Sequence, residues 1–322
     1  MASFIPRRLT TTGHLQEESK PPRKHTATLT ALLLLLLLHL QHELDVTIRL
    51  LRSNAVGFAF IAMGGILTRV ILSPTSMAEA ASSTFKAACV GVLCNYVFDI
   101  ANQASSPLED YLNKPYRPIP AGLISVHQAN VRWFLSWTLG TITIYFCFGL
   151  WTALHLIHFQ TLIWVCYVWP RWFPWFMRNY FASVSYFIMS RLLNQVLLAT
   201  EPSCQHSSFL VDSVTTSWLI VTIHIQEKTL PMLLSDRGLK VLRGGTSIII
   251  IAFGSAILLV GGARLGQNIL VVPVCVLQQV LSCVLAYRIS ASDSVEMDRA
   301  TYHVYYYPTV LAIRLSLVVI VS

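Results

Sequence analysis

The chain has 322 residues, of which 54% are hydrophobic and only 12% charged, against roughly 25% charged in an ordinary soluble domain. That excludes a water-soluble globule, and apolar stretches recurring along the whole length exclude a single anchor or a cleavable signal ahead of a soluble body. The formal net charge of +8 is not a nucleic-acid footprint, because the basic residues lie between apolar segments and not on one exposed face. In chain order, a tail rich in Pro, Thr, Lys and Arg reads as disordered and leads into a leucine run. From Leu29 to Leu40 that run is too short to cross a ~30 Å hydrocarbon core, and the polar stretch Gln41 to Asp45 follows it. It is expected as an interfacial or packing helix, so residues 1–45 form a basic tail and 46–322 a membrane domain.

Counting by the ~20 residues a helical span needs, nine candidate spans follow, at roughly 54–72, 85–105, 133–152, 153–169, 180–199, 209–225, 246–263, 268–287 and 303–322. The expectation is an all-α, polytopic membrane protein of about nine transmembrane helices. If the segments alternate sides, the N-terminal side and the loops following every second span hold 18 of the 23 Lys and Arg residues, the asymmetry of the positive-inside rule. The seven cysteines form no C-x-x-C pair, and all but Cys204 fall in apolar runs. They read as small core residues.

One segment carries chemistry. Asn95 and Asp99 stand four residues apart, hence on one helix face, and a carboxylate in a span marks a functional site by default. Pro107 ends that helix, Glu109 and Asp110 follow, and Lys114 and Arg117 come directly after in a loop punctuated by Pro115, Pro118 and Pro120. Magnesium takes oxygen ligands, usually one or two carboxylates plus substrate phosphates, while Lys and Arg bind the remaining phosphate oxygens. Mixed charges of this kind suit a metal-diphosphate. An ordinary charged loop with an Asp110–Arg117 salt bridge accounts for the composition equally well.

The pattern Asn95-x-x-x-Asp99, then Asp110-x-x-Asn113-Lys114-Pro115-x-Arg117-Pro118-Ile-Pro120-x-Gly122, resembles the first aspartate-rich motif of the UbiA superfamily of intramembrane prenyltransferases. The form with Asp-Ile-Ala-Asn-Gln, a short insert and Glu-Asp is similar to a fungal branch that includes UbiA-type terpene cyclases. The resemblance implies one nine-helix UbiA-like bundle with two aspartate-rich loops, after spans two and six, holding Mg2+ on an allylic isoprenoid diphosphate. It implies metal ligation by Asn95, Asp99 and Asp110, joined by Glu227 and Asp236 in the second loop. Asp99, Asp110 and Arg117 then act in catalysis, and Asn95, Lys114, Arg117, Lys228 and Arg237 bind substrate.

The second loop departs from the family pattern of Asp-x-x-x-Asp followed by Gly-Asp and Arg-x-Thr. Here His224-Ile-Gln226-Glu227-Lys228 runs on to Ser235-Asp236-Arg237 and Arg243-Gly-Gly-Thr246, with the middle Asp missing. Lys240 and Arg243 serve equally as diphosphate partners or as topology-setting charges. Within span five, Arg191 and Asn194 are substrate-site candidates, because buried polarity needs a partner. Trp133, Trp137, Tyr145, Phe146, Tyr180 and Tyr186 could stabilise a carbocation by cation–π attraction or could simply pack, and Trp169 to Trp175 reads as an interfacial belt.

The expected function is Mg-assisted ionisation of an allylic diphosphate and prenyl transfer to a small, aromatic acceptor. A terpene cyclase acting on farnesyl or geranylgeranyl diphosphate is the alternative, and an inactive or transport-like membrane protein the third reading. The partners are the isoprenoid diphosphate and the lipid bilayer, with no nucleic acid and no obligate protein partner. The endoplasmic reticulum is the expected location, with the mitochondrial inner membrane left open by the basic tail.

Overall fold

A computed structural model describes residues 24–322 with the exception of 53, 74–75, 169–175, 198–201, 223–234, 265–268 and 293. Every regular element among the described residues is helical: α1 (Lys24–Leu51), α2 (Ala55–Leu72), α3 (Met77–Ser105), α4 (Pro107–Asn113), α5 (Val126–Phe148), α6 (Leu150–Ile163), α7 (Phe176–Leu197), α8 (Pro202–Thr222), α9 (Asp236–Ala263), α10 (Val271–Ser290), α11 (Val295–Thr301) and α12 (Tyr307–Val321). Single π-helical segments extend α6 over Trp164–Val168 and lead into α12 over Tyr302–Tyr306. The chain divides into one unit ending at Asp45 and a larger one running from Val46 to Ser322.

The leucine run differs from the sequence expectation in one respect. The polar residues at 41–45 do not interrupt it, since α1 continues to Leu51 as a single helix of 28 residues. Ala31–Leu51 is long and apolar enough to cross a membrane. Leu32 to Leu38 are 52–65% exposed on every side, a surface that only an apolar medium covers without cost. In the larger unit, Val46 and Leu50 of the same helix are fully buried.

Six helices among the described residues have the length and hydropathy of a crossing segment. The other expected spans coincide with α5, α6, α7 and α8; α6 has only 14 residues, and α5, α7 and α8 carry polar residues within their apolar sequence. Many polar side chains of this group face inward: Thr152 and Gln160 on α6, Ser183, Ser190 and Asn194 on α7, and Ser208, Asp212, Thr215 and Thr222 on α8 are buried. A count by length and hydropathy therefore passes over three helices, α6, α7 and α8, that bring buried polar groups into the bundle.

Local sequence sets the helix starts. Ser76 and Glu79 form a reciprocal capping box on α3, as do Ser125 and Gln128 on α5, satisfying first-turn N–H groups that would otherwise be orphaned. In the bundle α2 packs against α3, α7 and α12, α3 against α5 and α7, and α12 against α8 and α10. Gly57 faces Tyr307 and Gly64 faces Arg314, so α2 and α12 run parallel. That is the orientation strict alternation gives to the first and ninth of nine crossings.

Candidate active site

Asn95, Asp99 and Gln103 succeed one another at four-residue spacing along α3, and all three are buried, at 4%, 0% and 0% exposure. The Asn95 amide donates to the Leu51 carbonyl at 3.3 Å, and Asp99 Oδ1 accepts from the Asn54 side chain. Asn95 Oδ1, Asp99 Oδ2 and both polar atoms of Gln103 have no partner. Native interiors leave few polar groups unsatisfied, and each exception asks for a ligand, an ion or water. A row of them on one helix face points to something that binds there.

Asn54 explains why one carboxylate oxygen is held and the other left. It is the N-cap of α2, yet its side chain makes no capping bond. Asn is among the best capping residues, worth ~1 kcal/mol in that role, and here the amide goes to Asp99 instead.

Beyond α3, Pro107 begins α4, where its missing N–H costs nothing. Asp110 turns back to Arg117, whose Nη1 lies 2.7 and 2.6 Å from its two carboxylate oxygens. The pair is buried, at 6% and 2% exposure. The salt bridge that composition allowed is therefore present, and it closes the loop that holds Lys114. Lys114 is half-buried; burial, and after it the positive Arg117, pull its pKa below the usual lysine value. Gly122 has φ +73°, a left-handed conformation that suits glycine, and the Leu123 N–H returns to the Pro118 carbonyl at 2.9 Å.

Next to this polar row lies a cavity of about 330 Å³ bordered by Asn54 and Asn102, within the range of about 300–1,000 Å³ usual for ligand pockets. Ten aromatic residues line it: Phe58, Phe60, Phe98, Phe159, Tyr167, Phe181, Tyr186, Tyr302, Tyr306 and Tyr307. Phe98 stacks on Phe181 at 5.3 Å and meets Tyr167 edge-on at 5.4 Å, and Phe60 stacks on Tyr307 at 5.3 Å. Both π-helical segments supply lining residues, as such segments often do at functional sites. Of the aromatics singled out in the sequence, Tyr186 borders the chamber; Trp133 is buried beside Trp137, while Tyr145 and Phe146 are exposed at 48% and 79%. The side chain of Tyr180 and the belt at 169–175 lie outside the described residues.

Arg191 and Asn194 converge away from Asp99, on Asp212. Asn194 donates to Asp212 Oδ2 at 2.8 Å, Arg191 lies 3.7 Å from the same oxygen, and Arg314 lies 2.7 Å from Oδ1.

No family model matches the chain. Over 231 residues, 66% of this chain and 68% of its relative, it is 27% identical to the diterpene cyclase eriG of Hericium erinaceus. Its fold also aligns with a solved structure of digeranylgeranylglyceryl phosphate synthase at a TM-score of 0.53, covering 86% of this chain and 97% of that one at 13% identity. The sequence is thus similar to a diterpene cyclase and the fold to that of a digeranylgeranylglyceryl phosphate synthase, and both likenesses support the resemblance to the UbiA superfamily.

In this bundle the two halves of the expected site are unequally placed. Asn95, Asp99, Asp110, Lys114 and Arg117 come together at the end of α3 and the loop after it. Glu227 and Lys228 lie outside the described residues. Asp236 and Arg237 are exposed in the first turn of α9, which Ser235 caps by accepting from the Gly238 N–H at 3.3 Å. Lys240 is also exposed, whereas Arg243 is held 2.7 Å from Asp298 and donates to the Ser292 carbonyl. No three His, Cys, Asp or Glu side chains cluster as metal ligands among the described residues. Sequence reasoning passed over Asn54, Gln103, Asp212 and Arg314 as site residues, all of which the structure places on the chamber, the polar row or the charge cluster behind them.

Proposed function

We propose that this chain is an intramembrane enzyme that ionises an allylic isoprenoid diphosphate with the help of Mg2+ and passes the resulting allyl cation to a carbon nucleophile, foremost a small aromatic acceptor. The observation that carries this reading is the junction of two unlike surfaces: a row of unpartnered buried oxygens around Asp99, and an aromatic chamber opening beside it.

The residues present fit a magnesium ion, which prefers oxygen ligands and shares them with substrate phosphates. Asp99 Oδ2 and Asn95 Oδ1 would hold it, with Asp110 as a third oxygen donor once it turns from Arg117. Bound metal would supply Lewis-acid neutralisation of charge on the departing group. Asn54 fixes the Asp99 carboxylate so that Oδ2 remains available. Lys114 and Arg117 offer cationic donors to the diphosphate oxygens, with Arg117 presenting the planar fork suited to them.

The C–O bond to the diphosphate breaks with its electron pair leaving on oxygen, and the remaining allyl cation lies among faces of Phe98, Tyr167 and Phe181, where ring quadrupoles attract it. A π bond of the nucleophile closes on the cation, and loss of one proton completes the reaction. The chamber walls keep water from capturing the cation first.

When the nucleophile is the chain's own distal double bond, the outcome is cyclisation. The sequence likeness to a diterpene cyclase favours this second reading for a donor of geranylgeranyl length. Membranes carrying the chain, supplied with Mg2+ and farnesyl or geranylgeranyl diphosphate, distinguish the two. Product formed only with an aromatic acceptor present establishes transfer, and hydrocarbon formed without one establishes cyclisation. No diphosphate release from any donor overturns the enzyme reading.

A further inference from the structure

The groups assigned to ionisation all stand on the α3 side of the chamber mouth. The other side is built by the helix that becomes α12. α11, the π-helical segment and α12 follow one another without a gap from Val295 to Val321, and along them Tyr302, Tyr306, Val310 and Arg314 line the chamber at four-residue spacing, the spacing of one helix face. Tyr302 and Tyr306 keep that relation through the π-helical segment, with ring centroids 5.6 Å apart. One further step of four reaches Asp298, ~6 Å beyond Tyr302. Because α12 runs parallel to α2, that step leads toward the end of the chamber that holds Asn54.

Asp298 carries a cation there. Arg243 Nη2 donates to its Oδ2 at 2.7 Å, and its Oδ1 accepts from the Ser292 hydroxyl. Arg243 Nη1 donates in addition to the Ser292 carbonyl. Arg243 comes from α9, which packs against α8 and α12, and lies two helical turns inside Asp236. Arg237 and Lys240 ahead of it are exposed, whereas Arg243 is fixed at two points. A guanidinium has five N–H donors in a rigid fork, so three of them are not used by Asp298 and Ser292. The two side chains keep 15% and 34% of their surface open, which leaves the pair within reach of a ligand, unlike the buried Asp110 and Arg117.

We infer that Arg243 is a second anion anchor of the mouth and binds one phosphate of the diphosphate. This rests on the proposed ionisation of an allylic diphosphate: the loop after α3, with Lys114, takes one phosphate, and the N–H groups that Asp298 does not use take the other. Asp298 is the positioning residue, holding the guanidinium at the mouth without satisfying it. The anchor stands on α9, the helix that follows the loop whose middle Asp is missing. A diphosphate reaches both anchors, and a single phosphate reaches only the first.

The test uses the full chain in lipid nanodiscs with Mg2+ and inorganic ligands alone, so that it is independent of turnover. Inorganic diphosphate and orthophosphate are titrated against thermal unfolding. Arg243→Met lowers the affinity for diphosphate about ten- to a hundredfold and leaves that for orthophosphate unchanged. Arg243→Met also unpairs Asp298, so Arg243→Met with Asp298→Asn accompanies it; with both partners neutral no charge is stranded, and the loss of diphosphate affinity persists. Asp298→Glu keeps the charge but shifts the guanidinium, and lowers the ratio of the two affinities, which a merely structural role would leave alone. An unchanged diphosphate affinity in Arg243→Met overturns the inference, as does an equal loss for both ligands or recovery of diphosphate binding in the double variant. The expected pattern in a protein that releases no diphosphate from farnesyl or geranylgeranyl diphosphate leaves the anchor standing and removes the enzyme reading.

Discussion

Asn54→Ala separates a residue that serves the site from one that serves its helix. The side chain occupies the N-cap of α2 but donates to Asp99 and caps nothing. Ordinary capping predicts a loss of ~1 kcal/mol in stability; without a capping bond that loss is absent. What disappears is a hydrogen bond to an acid with no exposed surface, worth ~1.5–3 kcal/mol for a charged partner. At ~1.4 kcal/mol per factor of ten, diphosphate release falls about ten- to a hundredfold, and stability falls by the ~1–3 kcal/mol of leaving a buried acceptor unsatisfied, so the loss of turnover is what marks a site residue. Ser125→Ala is the matched control, because Ser125 does accept from the Gln128 N–H at 3.1 Å on α5. It loses stability and keeps its turnover. Both quantities are measured on purified protein in nanodiscs, one by release of inorganic diphosphate and the other by a thermal ramp. If Asn54→Ala melts early and turns over normally, Asn54 is a cap and the account of Asp99 is wrong.

Two further outcomes follow from the loop after α3. Arg117→Ala strands the buried Asp110 carboxylate and destabilises the protein by ~3–5 kcal/mol; adding Asp110→Asn restores much of that stability but not affinity for Mg-diphosphate, whereas a purely structural salt bridge recovers both. Lys114 supplies a pH dependence. Its pKa is lowered in the folded state relative to ~10.4 unfolded, so the folded protein binds fewer protons across that window and stability from this group rises with pH through it. A diphosphate arriving beside Lys114 raises the pKa again and takes up a proton, so affinity for inorganic diphosphate falls as pH is raised toward the ordinary lysine value. Lys114→Arg flattens that fall in titrations over the same pH range, and an unchanged slope removes Lys114 from the site.

The placement of Asn95 and Asp99, the proposed half-site on α3, was legible because helical spacing is rigid: residues four apart share a face whatever the tertiary context, and the same rule extended one turn reaches Gln103. Asp212 and Arg314 also carried a signal, since each is an ionisable residue inside an apolar run. Their mutual pairing was hidden, because it joins α8 and α12 across about a hundred residues and no local pattern encodes it. Asn54 was opaque for a different reason. An Asn ahead of a helix reads as a cap, and only the position of α3 reveals its other use. The chamber was the least readable feature. Its aromatics come from α2, α3, α6, α7 and α12 and the π-helical segments beside them, and in an apolar helix no period tells a lining ring from one that faces lipid. The leucine run misled through its ending: residues 41–45 are polar enough to close an apolar count and helical enough to continue α1 through to Leu51.

The central claim is that Asp99 holds the group that draws the diphosphate away. It is tested most directly by single-turnover release of diphosphate from geranylgeranyl diphosphate in the presence of Mg2+, comparing wild type with Asp99→Ala and Asp99→Asn in nanodiscs. The account predicts release by the wild type and its loss in both variants, with the melting curve preserved in Asp99→Asn, which keeps the shape of the side chain and its place beside Asn54. Release by Asp99→Ala at the wild-type rate would contradict it.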